Sequence, residues 1–226
     1  KVIGLDFPLN RKLVSDSFNL QNLIYAIKNA GNVILPMKFV LTDIPQFSQA
    51  VPPIVLRSSY FTYDSFLKLK DSPPPLAKEI IYPETTLAKS AVDLGFINTV
   101  AERDQKVRQE VMIVNYADNY YPSLSLQVAK RYLGVTSFEV KIQPGKAIAL
   151  KNISIPIDNK GKTLINYNGS GPVFKTYSAL DIIEKKVNPQ EFKNKIVLLG
   201  LTALVVAPHV NTPLYSGLPS VEKTAI

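Results

Sequence analysis

The 226-residue sequence contains no cysteine, a single histidine and no uncharged apolar run of about eighteen residues. The absence of cysteine excludes disulfide scaffolds, thiolate zinc sites, cysteine-ligated iron–sulfur clusters and cysteine nucleophiles from this chain. With His209 as the one imidazole, a Ser-His-Asp triad could be built in only one way, and a site of several histidines not at all. The lack of a long apolar run predicts no membrane span within these residues. We therefore expect no catalytic residues, no metal site and no cofactor.

The chain is basic but lacks a concentrated basic segment. Its 26 Lys and Arg residues outnumber 18 Asp and Glu residues, which gives a formal net charge of +8. The positive residues are scattered, and a basic stripe interleaved with aromatic residues, typical of nucleic-acid-binding proteins, is missing. The composition, 46% apolar and 19% charged, predicts a folded domain with solvated surface lysines and no nucleic-acid partner.

The first thirty-nine residues predict a strand, a helix and a second strand. The run from Val2 to Phe7 is short and mostly apolar, as in a strand buried on both faces. Apolar residues at steps of three and four then run from Leu20 to Ala30, and Gly31 follows as a helix terminator. Residues 32–39 are again apolar and extended. This order predicts a parallel strand–helix–strand unit.

Residues 42–83 hold seven prolines and many aromatics, so they are expected to be an irregular Pro-rich insertion. A short strand near residues 54–56 and a loose helix over residues 63–69 are predicted inside it. A surface excursion is the simpler interpretation, and a lid over a pocket is the functional alternative.

The rest of the chain alternates between short strands and helices. Residues 95–100 and 107–114 are separated by a polar turn and are predicted to pair as an antiparallel hairpin. A helix is expected to begin at Pro122 and end at Gly134. The strongest strand pattern is residues 195–200. The predicted fold class is α/β, with a mixed, mainly parallel sheet flanked by helices, an antiparallel hairpin and the Pro-rich excursion, over a single domain of residues 1–226.

Four residues are candidates for a ligand site. Asp6 ends a predicted parallel strand, where open α/β sheets collect their ligands, although a structural carboxylate is common at such a position. Asn166 and Tyr167 end another predicted strand, so their side chains and Asp6 could converge on one crevice. Arg108 follows the hairpin turn four residues after Asp104, and is either exposed or a buried partner of that carboxylate.

Two other features carry little chemistry. The segment from Gly169 to Pro172 matches neither phosphate-binding fingerprint and is expected to be a tight turn. His209 lies between two prolines and is expected to occupy a loop rather than act as a catalytic base.

Several short segments resemble one protein family when they are taken in order. The segments that carry the resemblance are Val2-Ile3-Gly4-Leu5-Asp6-Phe7, Ala30-Gly31-Asn32-Val33-Ile34-Leu35-Pro36, Leu94-Gly95-Phe96-Ile97-Asn98, Asp104 to Arg108, Tyr121-Pro122-Ser123-Leu124-Ser125-Leu126, Ile165-Asn166-Tyr167-Asn168-Gly169, Asn194-Lys195-Ile196-Val197-Leu198-Leu199-Gly200 and Asn211-Thr212-Pro213. With these segments the chain is similar to the type-two CHASE domain, an extracellular sensory family associated with cyclases and histidine kinases. Family members usually carry glycine where Gln105 and Asn194 stand here.

The resemblance implies the extracytoplasmic, periplasmic or extracellular sensor of a bacterial cell-membrane receptor. A small molecule or environmental signal would bind it, and a cytoplasmic adenylate cyclase, histidine kinase or serine/threonine kinase of the same polypeptide would respond. Lys1 follows no initiator Met and no leader pattern, as expected for a fragment. A homodimer is compatible with such a receptor.

Two other function classes stay open at the level of sequence. A periplasmic small-molecule-binding protein would share the fold but lack membrane spans in the parent chain. A hydrolase would need Ser, Asp and His209 within hydrogen-bond reach of one another.

Overall fold

The computed structural model describes residues 1–9, 17–44, 50–60, 74–169, 173–203 and 205–226. Within these ranges the strands are β1 (Val2–Asp6), β2 (Val33–Thr42), β3 (Leu76–Ile81), β4 (Asp93–Phe96), β5 (Gln109–Val111), β6 (Ile113–Tyr116), β7 (Asn119–Pro122), β8 (Lys141–Gln143), β9 (Ala147–Leu150), β10 (Ile153–Pro156), β11 (Lys162–Leu164), β12 (Ile196–Gly200), β13 (His209–Val210) and β14 (Leu218–Pro219). The helices are α1 (Ser17–Ala30), α2 (Pro53–Leu56), α3 (Thr85–Ser90), α4 (Leu124–Leu133), α5 (Ala179–Ile183) and α6 (Ser220–Ala225).

The main sheet of the described residues has seven strands in the order β12-β1-β2-β3-β6-β7, with β4 also paired to β2. Strands β12, β1, β2 and β4 run parallel. The second half of β2 pairs antiparallel with β3, and β6 pairs antiparallel with β7. This arrangement confirms the predicted α/β class with a mixed, mainly parallel sheet.

The parallel strands are buried on both faces because helices cover each side. In β2, Val33 and Leu35 pack in the core that includes Ile27 of α1 and Leu87 of α3. Ile34, between them in sequence, packs against Leu124 and Val128 of α4. Side chains of a strand alternate between faces, so α1 and α3 lie on one side of the sheet and α4 on the other.

Helix α4 follows its sequence signals closely. Its N-cap Ser123 accepts a hydrogen bond from the Leu126 amide, and its C-cap Gly134 adopts a left-handed φ of 67°. The helix begins two residues after Pro122, which ends β7 instead of opening the helix.

A buried lysine ties α4 to the sheet. Lys130 Nζ lies 3.2 Å from Asp93 Oδ2 and 3.1 Å from Ser137 Oγ. It also lies over the Tyr60 ring, 5.4 Å from the ring centre, in a cation–π contact. Next to it, the fully buried Gln127 donates to the carbonyl of Leu94. Every polar group in this cluster has a partner, as burial requires.

Three smaller sheets complete the described part of the fold. Strands β8, β9 and β10 form a three-stranded sheet with its own apolar core, which includes Ile148 and Leu150. Strand β11 pairs antiparallel with β5, and β13 pairs antiparallel with β14. Residues 208–219 therefore contain two very short strands.

Two predictions for the first half of the chain were wrong. Residues 54–56 belong to helix α2 rather than to a strand, because Pro53 at the first helical turn favours the helix. Strand β3 lies inside the stretch expected to be irregular, and its pairing with β2 makes it part of the main sheet. The helix predicted over residues 63–69 lies outside the described residues.

The predicted hairpin between residues 95–100 and 107–114 was also wrong. Strand β4 pairs parallel with β2, whereas β5 pairs with the distant β11. The local sequence predicted these strands but not their partners. The partner of β4 is β2 of the central sheet, which is distant from it in sequence. The antiparallel hairpin of this region is formed by β6 and β7.

Among the described residues, we find no helix with the length and apolar character needed to cross a membrane.

Candidate functional site

The candidate site lies at the carboxyl ends of β1 and β12. Strand β1 pairs with β2 on one side and with β12 on the other, and Asp6 lies opposite Gly200. The chain continues from β1 to one neighbour and reaches the other much later, so the strand order reverses at β1. Open α/β sheets bind ligands at such a reversal. Asp6 therefore stands at the position that its sequence context predicted.

Helix α6 packs directly over these strand ends. A Cβ atom on Gly200 would overlap the side chain of Val221, so glycine is needed for this close approach. Ser220, Lys223 and Thr224, which belong to this helix, are all buried. The C-terminal segment thus closes the edge of the sheet with polar side chains.

Lys223 forms a buried ion pair with β5. Its Nζ lies 2.6 Å from Glu110 Oε2, and the two side chains are 2% and 11% exposed. Residues 110 and 223 are 113 positions apart in sequence, so the contact joins two distant parts of the chain. Glu110 also faces Thr163 of β11 in the strand register.

Asp6 is a second carboxylate beside the same lysine. It is 3% exposed, and its Oδ2 accepts no hydrogen bond from the residues that the structure describes. Burial raises the pKa of Asp6, and the charge of Lys223 and a hydrogen bond from Thr224 oppose this rise. Lys223 and Thr224 thus compensate only part of the cost of burying this negative charge.

The pKa of Glu110 is raised too, chiefly by burial. The charge of Lys223 and its hydrogen bond act against burial, whereas the negative charge of Asp6 raises the pKa further. Two carboxylates therefore compete for one ammonium group. We call Asp6, Glu110, Lys223 and Thr224 the strand-end cluster.

The other predicted site residues lie on the neighbouring small sheets. Arg108 is half-exposed, and its guanidinium nitrogens lie 2.6 Å from Glu102 Oε2 and 2.7 Å from Asp104 Oδ2. Hydrogen bonding to Arg108 lowers the pKa of Asp104 to about 2. The structure combines the two alternatives: Arg108 is paired with Asp104, and this pair lies at the surface. In the same turn Gln105 has a φ of 62°, a conformation that favours the glycine usual in the resembling family.

Asn166 and Tyr167 follow the end of β11. The Tyr167 hydroxyl donates to the carbonyl of Val107 over 2.9 Å, whereas Asn166 is exposed. Burial, with a smaller effect of the Glu110 charge, raises the pKa of Tyr167 to about 12. The Ile165 amide donates to the Arg108 carbonyl, which continues the pairing of the two strands.

The structure thus brings Arg108, Asn166 and Tyr167 into one region, and Asp6 into contact with it only through Glu110. The expectation that Asn166 and Tyr167 end a strand of the same sheet as Asp6 was wrong, since β11 belongs to a separate two-stranded sheet. The assignment of the four residues to ligand binding stays a prediction.

Sequence reasoning missed Glu110, Lys223 and Thr224. Glu110 carried a weak signal, because it directly precedes the apolar residues 111–114 of a predicted strand. Lys223 and Thr224 carried none, since charged and polar side chains on a helix are usually solvated. The described residues contain no group of three or more His, Asp or Glu side chains placed to hold a metal ion.

His209 lies in β13, where it pairs with Pro219. Its position in a short strand differs from the predicted loop. The histidine is half-buried, and among the hydrogen bonds and ion pairs of the described residues its ring has no Ser or Asp partner that would make a triad.

Comparison with known proteins gave one match. The family model described as the CHASE2 domain matches residues 1–226, the whole chain. No curated protein and no solved structure matches the chain significantly.

Proposed function

This chain belongs to the CHASE2 domain family, and from that premise we propose that it is the signal-input domain of a bacterial transmembrane receptor. CHASE2 is a family of extracellular sensor domains and is not catalytic. In our proposal the domain passes a ligand or environmental signal to a cytoplasmic adenylate cyclase, histidine kinase or serine/threonine kinase of the same polypeptide. The observation that carries the proposal is the family match over the whole chain.

The architecture supports a sensor that works by changing shape. A ligand shifts a conformational equilibrium only by as much as it prefers one state over the other. An element that binds near the ligand and can move against a rigid sheet satisfies this requirement. Helix α6 is a candidate for such an element, because it packs against β1 and β12 at their carboxyl ends.

We propose that a small-molecule ligand contacts Arg108, Asn166 and Tyr167 directly and acts on the buried Asp6, the fourth predicted site residue, through Glu110. Arg108 and Asn166 present polar groups at the surface of the β5–β11 pair, and Tyr167 anchors that pair to Val107. Asp6 would respond through Glu110, whose pKa already depends on the charge of Asp6. A guanidinium, an amide and a hydroxyl suit a ligand with carboxylate or carbonyl oxygens.

The parent receptor in membrane vesicles provides the direct test. We expect a small metabolite, identified by a thermal-shift screen of the isolated domain, to change the output activity when it is added on the sensor side only. A parent chain without membrane spans and without a cyclase or kinase would contradict the receptor proposal and favour the binding-protein class. Substrate turnover by the isolated domain would contradict the sensor class itself.

The proposed ligand contacts are tested with Arg108→Ala. Truncation of a charged ligand contact costs about tenfold or more in affinity, so the ligand-induced shift in melting temperature should be lost at the same ligand concentration. The unfolding midpoint without ligand should not change, because the Arg108 ion pairs are exposed. Arg103→Ala is the matched control, since Arg103 is an exposed arginine in the same turn. Equal ligand response in both variants would contradict the assignment of Arg108.

A further inference from the structure

The strand-end cluster has an excess of negative charge. Asp6 and Glu110 are both buried, and Lys223 is the one ammonium group that faces them among the described residues. Lys223 Nζ lies 2.6 Å from Glu110 Oε2, so the ammonium group pairs with Glu110. Asp6 is left with Oδ2 buried and without a hydrogen-bond partner among those residues.

Among the described residues, the elements packed around the cluster bring no second cation to it, because Lys162 of β11 pairs with Val111 and lies on the face of that strand pair opposite to Glu110. Strand β12 (Ile196–Gly200) and the paired part of β2 carry no titratable side chain. On α4, Lys130 pairs with Asp93, and Arg131 donates to the Gly31 carbonyl.

His209 lies on β13, which also packs against α6, but it is not among the charges that act on Asp6 or Glu110. The other titratable groups near the cluster are acidic. On α6, Glu222 lies 3.5 Å from Thr176, and burial raises its pKa. Next to β11, Tyr167 responds to the charge of Glu110. Neither group supplies the missing positive charge.

We propose that the strand-end cluster is a proton-operated latch for helix α6. Uptake of one proton by Asp6 or Glu110 balances the single ammonium of Lys223 and holds α6 against the ends of β1 and β12. Loss of that proton leaves two buried carboxylates beside one cation and loosens the helix. A proton needs no cavity, which suits a cluster whose side chains are almost fully buried.

The direction of the pH effect follows from linkage. The pKa values of Asp6 and Glu110 are raised above the ordinary values of 3.8 and 4.5, so the folded state binds protons more tightly than the unfolded state. The stability that this proton provides is complete below those ordinary values and is lost as the pH rises through the folded-state values. The latch is therefore closed below the raised folded-state pKa of this pair and loosens as the pH rises above it.

The latch is a property of the domain and does not depend on the receptor role proposed above. A receptor could sense a small molecule whether or not α6 responds to protons. Conversely, the latch would exist in a binding protein with the same fold. The experiments on the two proposals therefore fail independently.

Amide hydrogen exchange of α6 tests the latch. We expect the exchange of the α6 amides, corrected for the intrinsic pH dependence, to slow by about tenfold from pH 8 to pH 5, since one linked proton changes an equilibrium by up to about tenfold per pH unit. The amides of α4, such as that of Gln127, which bonds to the Ser123 carbonyl, provide the internal control and should change less.

Asp6→Asn should hold the latch closed at every pH. Asparagine is neutral, has the shape of the protonated carboxyl group and can still accept the hydrogen bond from Thr224. The variant should show slow α6 exchange at pH 8, equal to that of the wild type at pH 5. Asp118→Asn, at an exposed turn position with a φ of 58°, is the matched control and should behave like the wild type.

Three results would overturn the proposal. These are α6 exchange in the wild type that does not change with pH, exchange that becomes faster in acid, and an unchanged pH dependence in Asp6→Asn. If Asp6→Asn does not fold, carbon-13 titration of the wild-type carboxyl groups decides. A midpoint above the ordinary values at Asp6 or Glu110 supports the latch, and ordinary midpoints at both overturn it.

Discussion

Two buried lysines tie helices α4 and α6 to neighbouring strands, and they do so with different charge balance. Lys130 on α4 meets one carboxylate, Asp93, and also contacts Ser137 and the Tyr60 ring. Lys223 on α6 meets Glu110 and lies beside Asp6 as well. The first site has one charge of each sign and satisfied partners, whereas the second has one carboxylate too many.

This difference separates a structural contact from a responsive one. A balanced, fully hydrogen-bonded pair fixes one arrangement of the backbone. An unbalanced cluster carries the electrostatic cost of an uncompensated buried charge. A change of protonation or a bound ligand can remove that cost. We therefore expect α4 to be a fixed part of the scaffold and α6 to be the element that moves.

The largest effect is expected for Lys223→Met. This substitution leaves two buried carboxylates without their cation, and the removal of one partner from a buried pair costs about 3–5 kcal/mol in the free energy of unfolding. Urea unfolding at pH 7 measures the loss. The triple variant with Asp6→Asn and Glu110→Gln should recover most of it. A loss below about 1 kcal/mol would mean that the cluster is hydrated and the charge argument is wrong.

Lys130→Met should cost somewhat less, about 2–3 kcal/mol, because it leaves one carboxylate that keeps some contact with water. The Asp93 side chain is 13% exposed. Adding Asp93→Asn to the variant should restore part of the stability in the same urea experiment. If Lys130→Met costs more than Lys223→Met, the comparison between the two lysines is reversed.

The smallest effect has the opposite sign. Asp6→Asn should stabilise the protein at pH 7, because asparagine removes the buried negative charge that burial disfavours. The raised pKa of Asp6 means that its charged form is the costly one, so the gain should shrink as the pH falls towards 4. Unfolding free energies of the variant and the wild type at several pH values measure this difference. A destabilised variant at pH 7 would show that the Asp6 charge is compensated.

Much of the fold could be predicted from local patterns. The parallel β1-α1-β2 unit, the C-terminal end of α4 and the strand at β12 follow from apolar spacing and Gly134. These features depend on residues close together in sequence. The predicted strand partners were less successful, because β5 pairs with β11 over a separation of about fifty residues.

The candidate site was predicted only in part. The end of β1 is a recognisable place for Asp6, and the turn before Arg108 made its contact with Asp104 one of two alternatives. The partners of Asp6 come from β5 and α6. Neither has a local pattern that distinguishes a buried charge from a solvated one.

The sequence by itself determined the α/β class, the family resemblance and the position of a carboxylate at a strand end. These depend on periodicity, capping residues and the order of short motifs along the chain. Only the tertiary structure decided that Lys223 and Glu110 meet, and that Asp6 shares their one positive charge. The physical reason is that burial and charge balance belong to the packed arrangement of distant segments, whereas helix and strand patterns belong to neighbours in sequence.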